Sequence, residues 1–191
     1  QDSWFGFDHF YSDHSFDKAL EIVFGRHPVQ LMDVGGNTGR FALRCVDYDP
    51  EVNVTIVDLP GQIGMMKKNI AGEKGAERIG GFPTDILDER NRLPEGEWDA
   101  IWMSQFLDCF SEDEICSILS RTAGVMTADT TLYIMETFWD RQKYEPASLC
   151  LTMTSVYFTV MANGNSKMYH SDDMIRLIGR AGLDVVGIHD G

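Results

Sequence analysis

Alternation constrains this chain more than any other feature. Apolar β-type runs at Val29 to Val34, Val52 to Val57, Trp98 to Met103, Thr131 to Met135 and Leu183 to Ile188 are separated by stretches with helical spacing. Those stretches are Phe41 to Val46, Ile63 to Ile70, Glu112 to Leu119 and Met174 to Ile178, with a weaker strand expected through Ile79 to Phe82. Strands that alternate with helices bury a parallel sheet between two helical layers, so the expected class is α/β, doubly wound and Rossmann-like. Ahead of the first strand, Phe5 to Phe24 is aromatic at first and helical around Lys18 to Val23, and reads as a lid or linker helix.

Composition narrows the partners. The 191 residues suit one domain, and 43% hydrophobic residues supply its core. A net charge of −14 with scattered basic residues opposes a nucleic-acid partner, because phosphate backbones are bound by clustered Lys and Arg. Cys45, Cys109, Cys116 and Cys150 lie far apart without a CxxC pair, which argues against a zinc site or disulfide framework and suggests a reducing cytoplasm. No apolar run reaches the roughly 18 residues of a membrane span. The chain opens with Gln1 and stops just after the Leu183 to Ile188 run, and is read as part of a longer protein.

The sharpest local signal is Leu31-Met32-Asp33-Val34-Gly35-Gly36-Asn37-Thr38-Gly39-Arg40. A strand ends in a glycine turn and a helix begins, which offers backbone N–H groups and a helix N-terminus to a ligand. Glycine is expected there because a Cβ would obstruct either a positive φ or the ligand. A dinucleotide fingerprint would place glycine at 35, 37 and 40, but Asn37 and Arg40 stand at two of these, so nicotinamide and flavin are disfavoured. At the end of the second strand, 19 residues after Gly39, Asp58 is placed to accept hydrogen bonds from ribose hydroxyls. Its alternative is a helix N-cap ahead of Pro60.

Taken together, Asp33 to Gly39, Val57-Asp58-Leu59-Pro60 and Pro83-Thr84-Asp85-Ile86-Leu87 closely resemble the plant-type O-methyltransferase family, class I enzymes dependent on S-adenosylmethionine. Phe7-Asp8-His9-Phe10-Tyr11-Ser12-Asp13-His14-Ser15 resembles the family's N-terminal segment, and Ala100 to Met103 its fourth strand. The resemblance implies that Asp33, Gly35, Gly36 and Gly39 meet the methionine and ribose side of the cofactor. It implies that Asp58, with Leu59 beside it, holds the ribose, that Asp85 and Ile86 meet the adenine, and that Ser15 approaches the amino-acid end. Phe7 and Tyr11 would lie near the sulfonium and the acceptor, and no metal is expected. Residues 1–28 would lead from a preceding dimerisation domain, and residues 29–191 would form the catalytic domain of a homodimer, without its last strand.

One departure concerns the chemistry. The family's histidine base is replaced by Asp108 in Asp108-Cys109-Phe110-Ser111-Glu112-Asp113, and a lysine four positions earlier by Ser104. A phenol and an unperturbed aspartate differ by about 6 pKa units, roughly 8 kcal/mol against full proton transfer, where histidine leaves about 3.5 units. Asp108 is therefore expected either to act as a perturbed base, to position the acceptor, or to be a loop carboxylate ahead of the Ser111 cap. Glu136, at the end of the fifth strand, would orient Asp108 or the acceptor, its alternative being a surface charge. His14 and His170 are the reserve bases. The Met153, Tyr157, Val160 and Met161 stripe fits an acceptor pocket or ordinary core packing equally. The expected activity is methyl transfer to a hydroxyl of a small aromatic or planar acceptor. The alternatives are a relative with other chemistry, such as C-methylation or a non-methylating step, and an inert binding protein.

Overall fold

The computed structural model describes residues 15–161 and 165–190, and places five parallel strands in the order β3-β2-β1-β4-β5. These are β1 (Gln30–Val34), β2 (Asn53–Asp58), β3 (Ile79–Pro83), β4 (Ala100–Ser104) and β5 (Thr131–Met135). Every strand expected between Val29 and Met135 is present. Leu31 pairs with Val54 on one side and Ala100 on the other, so β1 is central, and its residues from Leu31 to Val34 are buried, Asp33 among them.

Alternation along each strand feeds two cores. On one face Leu31, Val54, Ile56 and Trp102 pack under α1 (residues 15–24), α2 (Arg40–Tyr48) and α3 (Pro60–Asn69). On the other, Met32, Ile101 and Met103 pack under α4 (Glu112–Ala123) and α6 (Ser171–Arg180). Helix α1 enters the core through Phe16, Leu20 and Val23, with the Phe16 ring 5.2 Å from Phe41 of α2. Helix α4 begins with a capping box: Ser111 Oγ accepts from the Glu114 amide, and Glu114 Oε2 accepts from the Ser111 amide at 2.7 Å. The order of connections reverses at β1: β2 and β3 extend one way, β4 and β5 the other. The carboxyl ends of β1 and β4 therefore flank the crevice where ligands of open α/β sheets collect.

Two expectations are corrected. Leu183 to Ile188 is not a strand, because among the described residues no ladder partner accepts it. The run is unpaired, and Val186 is 86% exposed. A strand is stable only when its amides find a neighbour, whatever its β propensity. Apolar spacing around Met153 did mark a helix, α5 (Glu145–Met161), but Met153 is 60% exposed beside exposed Leu149 and Val156, so this part of the stripe is not core.

Candidate active site

The glycine turn is built by main-chain geometry. Gly35 (φ 77°), Asn37 (φ 48°) and Gly39 (φ 83°) all lie in the left-handed region, and Gly39 is the N-cap of α2. Asparagine tolerates that conformation better than most residues, which explains how it stands among glycines. The Gly35 amide donates to Val57 O at 2.9 Å, tying the turn to β2.

The space beside each glycine is taken by protein, which refines the expectation that it is left for a ligand. A Cβ on Gly35 would run into the Phe106 ring, and one on Gly39 would lie 3.0 Å from Met66 and Ile70. On Gly36 it would lie 2.5 Å from Oδ2 of Asp33. Asp33 is buried in the sheet centre, and that Oδ2 has no hydrogen-bond partner among the described residues. Burial, reinforced by the charge of Asp58, pushes its carboxyl up to about 7. An unpartnered buried carboxylate oxygen is costly unless a cation or donor reaches it.

Asp58 closes the other wall. Its Oδ2 accepts from the Asn37 amide at 2.9 Å and its Oδ1 from the Leu59 amide at 2.7 Å. The N-cap of α3 is Leu59 with no side-chain cap bond, so Asp58 is not a helix cap; it clamps the turn to β2. Burial raises its carboxyl above the usual value, against the lowering effect of the two amides. Leu59 is half exposed. Asp85 is exposed after β3 and folds back on its own chain, accepting from the Leu87 amide at 3.0 Å, while Ile86 packs at the margin of the second core. Ser15 is exposed at the first described turn of α1. Phe7 and Tyr11 lie outside the described residues, as does His14.

Across the crevice, β4 ends at Ser104 and passes through Gln105 (φ 47°) into a 3-10 turn, Leu107–Cys109. Asp108 is partly buried on this turn, and its carbonyl accepts from the Lys167 amide at 2.9 Å. Glu136 follows β5, its carboxyl turned inward. Oε1 accepts from the Phe106 and Leu107 amides at 2.9 and 2.8 Å, while Oε2 is buried without a hydrogen-bond partner among the described residues. Glu136 is thus not a surface charge. Burial first, then the neighbouring Asp108 charge, lifts its carboxyl well above the ordinary range. His170 caps α6: its Nδ1 accepts from the Asp172 amide at 3.1 Å, and its ring lies edge-on to Trp139.

The structure therefore brings Asp33, Gly35, Gly36, Gly39 and Asp58 into one cradle, and Asp108 and Glu136 into one cluster. Phe106 links the two and was missed in the sequence. Its only advance signal was an aromatic residue between a strand end and a turn.

A left-handed glycine turn at the switch point of a parallel sheet, faced by a strand-end acid, defines the class I methyltransferase fold. Within that class the chain belongs to the plant-type O-methyltransferase family, whose O-methyltransferase domain matches residues 15–184. The cofactor of this family is S-adenosylmethionine. Norreticuline-7-O-methyltransferase of Papaver somniferum is 31% identical over 146 residues, covering 76% of this chain and 37% of the relative. Phenazine-1-carboxylate N-methyltransferase of Pseudomonas aeruginosa is 22% identical over 180 residues, 91% of this chain and 51% of the relative. The solved structure of PigF with SAH has a TM-score of 0.72 at 18% identity, over 82% of this chain and 45% of that one, and shows the shared fold. This chain spans about a third to a half of the length of the curated relatives it matches.

Proposed function

We propose that this chain carries out S-adenosylmethionine-dependent methyl transfer to a hydroxyl of a small aromatic or planar acceptor. The observation that carries the reading is the buried, unpartnered Oδ2 of Asp33 behind the Gly35 to Gly39 turn, a site that a cationic ligand would satisfy. The residues present suit this cofactor. Asp33 would meet its amino-acid end with Ser15 approaching from α1, Asp58 its ribose hydroxyls, and Asp85 and Ile86 its adenine, with Leu59 on the rim. When bound, the cofactor supplies a methyl group on an already activated sulfonium leaving group.

The chain's own residues then have three tasks: to align the acceptor, to keep water out and to receive a proton. Asp108, on the turn after β4, accepts the hydrogen of the acceptor hydroxyl. By the resemblance, Phe7 and Tyr11 would lie near the sulfonium and the acceptor. An acceptor more acidic than an ordinary phenol suits a carboxylate at this place, because it narrows the gap of about 6 pKa units.

A nitrogen acceptor is the second reading. It is favoured by the same carboxylate, since an amine lone pair attacks without prior loss of a proton, and by the similarity to a phenazine-1-carboxylate N-methyltransferase. The relatives' greater length supports the chain being the catalytic portion of a longer protein, which we read as a cytoplasmic homodimer. Among the described residues no helix is long and apolar enough to cross a membrane.

The test is titration calorimetry with S-adenosylmethionine and S-adenosylhomocysteine, followed by mass analysis of reactions with phenolic, enolic and amine acceptors. A methylated hydroxyl product supports the reading. Cofactor binding without turnover on any class of acceptor would favour the inert binding protein instead.

A further inference from the structure

An aromatic ring and a buried carboxylate oxygen lie on consecutive residues of the glycine turn. A Cβ on Gly35 would overlap the Phe106 ring, and one on Gly36 would lie 2.5 Å from Oδ2 of Asp33. Consecutive Cα atoms are about 3.8 Å apart, so the unpartnered oxygen and the ring flank one short stretch of main chain. The ring meets Gly35 along one side, through Cγ, Cδ2 and Cε2, and stands edge-on to Phe110 at 4.9 Å. Phe106 is half-buried rather than sealed into the second core, and Asp108 follows two residues later.

The chemistry of the cofactor decides what a ring at this place can do. In S-adenosylmethionine two methylene groups separate the sulfur from the carbon that carries the ammonium. An ammonium drawn to Asp33 therefore brings the sulfur to the neighbouring residue of the turn, Gly35, with the Asp108 turn beyond it. A sulfonium has no N–H or O–H to donate, so a carbonyl or carboxylate cannot hold it by an ordinary hydrogen bond, whereas the face of an aromatic ring attracts any cation through its quadrupole. We propose that Phe106 is a specificity-determining residue: its ring faces the sulfonium and makes the site tell the charged methyl donor from its neutral demethylated product. The inference rests on the methyltransferase reading and on the ammonium lying at Asp33. The product's thioether keeps the dispersion contact with the ring and loses the part that depends on charge. Phe106 thus favours the donor over the spent cofactor and helps the one replace the other.

Titration calorimetry on the full chain, with S-adenosylmethionine and S-adenosylhomocysteine in turn, reads the two affinities separately. Leucine keeps an apolar side chain at 106 and removes the ring face. In Phe106→Leu the dissociation constant of S-adenosylmethionine should rise at least about threefold more than that of S-adenosylhomocysteine, within the range for a cation over a ring. A ring that served only to support Gly35 or the Asp108 turn would move both constants together. Pentafluorophenylalanine placed at 106 is the second variant, because fluorine withdraws electron density from the ring face while the ring keeps its shape. There S-adenosylmethionine should again weaken about threefold or more, with S-adenosylhomocysteine held within about twofold.

A ratio of the two constants that stays at its wild-type value in the variants would overturn the proposal. Phe7 and Tyr11, which the resemblance also brings near the sulfonium, are untouched by either change, so undiminished discrimination would be theirs. Should Phe106→Leu fail to fold, the fluorinated chain decides alone. A wild type that binds neither molecule would overturn the cofactor reading, and this inference with it. Binding of both with the ratio unmoved removes only the part assigned to Phe106.

Discussion

On the β1 and β2 side of the crevice, main-chain conformation does the holding: three left-handed residues, a turn tied to β2 through Gly35, and Asp58 accepting two amides. On the β4 and β5 side, a buried side chain does it, since Glu136 gathers the amides that shape the Asp108 turn. The first side rests on residues chosen for backbone freedom, and almost any side chain there would spoil it. The second rests on one acid and one ring, and can exchange its chemistry while keeping its shape. That contrast sits beside a sequence difference: the glycine turn keeps the family's pattern, while the turn after β4 has Asp108 where the resemblance calls for histidine.

The largest expected effect tests the second side. Asp108→Asn removes the charge and the basicity of that side chain and leaves its volume almost unchanged. Steady-state turnover should fall about 10²- to 10⁴-fold, or about 3 to 5 kcal/mol, the usual loss of a general base. S-adenosylhomocysteine affinity, measured by calorimetry, should stay within about threefold, because the cradle is built from other strands. A near-normal rate would remove Asp108 from the chemistry and turn attention to amine acceptors, which need no base.

The matching test of the first side is Gly35→Ala. A left-handed φ costs a residue with a Cβ about 1 to 2 kcal/mol, and the overlap with Phe106 adds about 1 to 3 kcal/mol of overpacking. Urea unfolding should show a loss of about 2 to 5 kcal/mol. A loss under about 0.5 kcal/mol would mean that the turn relaxes freely, and the contrast between a rigid and an adaptable side would collapse.

The legibility of the two sides follows the same division. Asp33, the three glycines and Asp58 were readable because a turn of this kind demands particular residue types at fixed intervals, and the structure brings them together. The alternation of apolar runs likewise gave five strands their places. The reason assigned to the glycines was only partly right, since their empty side-chain positions are filled by Phe106, Asp33, Met66 and Ile70 from elsewhere in the fold. Leu183 to Ile188 has a strand's composition and no ladder partner among the described residues, and composition carries no information about partners. Phe106 escaped notice because its role depends on a residue 71 positions away, and Glu136 could be assigned to a strand end but not to the amides it accepts.

Asp58→Ala probes how far the first side is a ligand site as well as a scaffold. Removing the carboxylate should weaken S-adenosylmethionine binding by about 1.5 to 3 kcal/mol, the range for charge-assisted hydrogen bonds. Part of any loss could come from the released Asn37 amide. Asp58→Asn separates the two contributions: its carbonyl oxygen can keep one amide while the charge is lost. Undiminished affinity in both variants would leave Asp58 as a clamp only.

The smallest effect is a pH dependence that belongs to the first side alone. With its folded value near 7 and its unfolded value near 3.8, Asp33 binds more protons in the native state between those pH values. Ligand-free stability attributable to Asp33 is therefore full below the lower value and declines as pH rises through the window. A cationic ligand beside Oδ2 reverses the preference, because it favours the ionised carboxylate. S-adenosylmethionine affinity should then climb with pH and level off above about 7, with about a tenfold gain between about pH 6 and pH 8, since only about a tenth of Asp33 is ionised at the lower value. Binding near pH 7 should also release a fraction of a proton, visible as a dependence of the calorimetric heat on buffer ionisation. In Asp33→Asn both the climb and the proton release should vanish. Asp58 and Glu136, whose carboxyls are also raised, remain in that variant, so any slope that persists is theirs. An affinity equal at the two pH values in the unmodified chain would mean that the cofactor's positive end does not approach Asp33, and the cradle would need a different occupant.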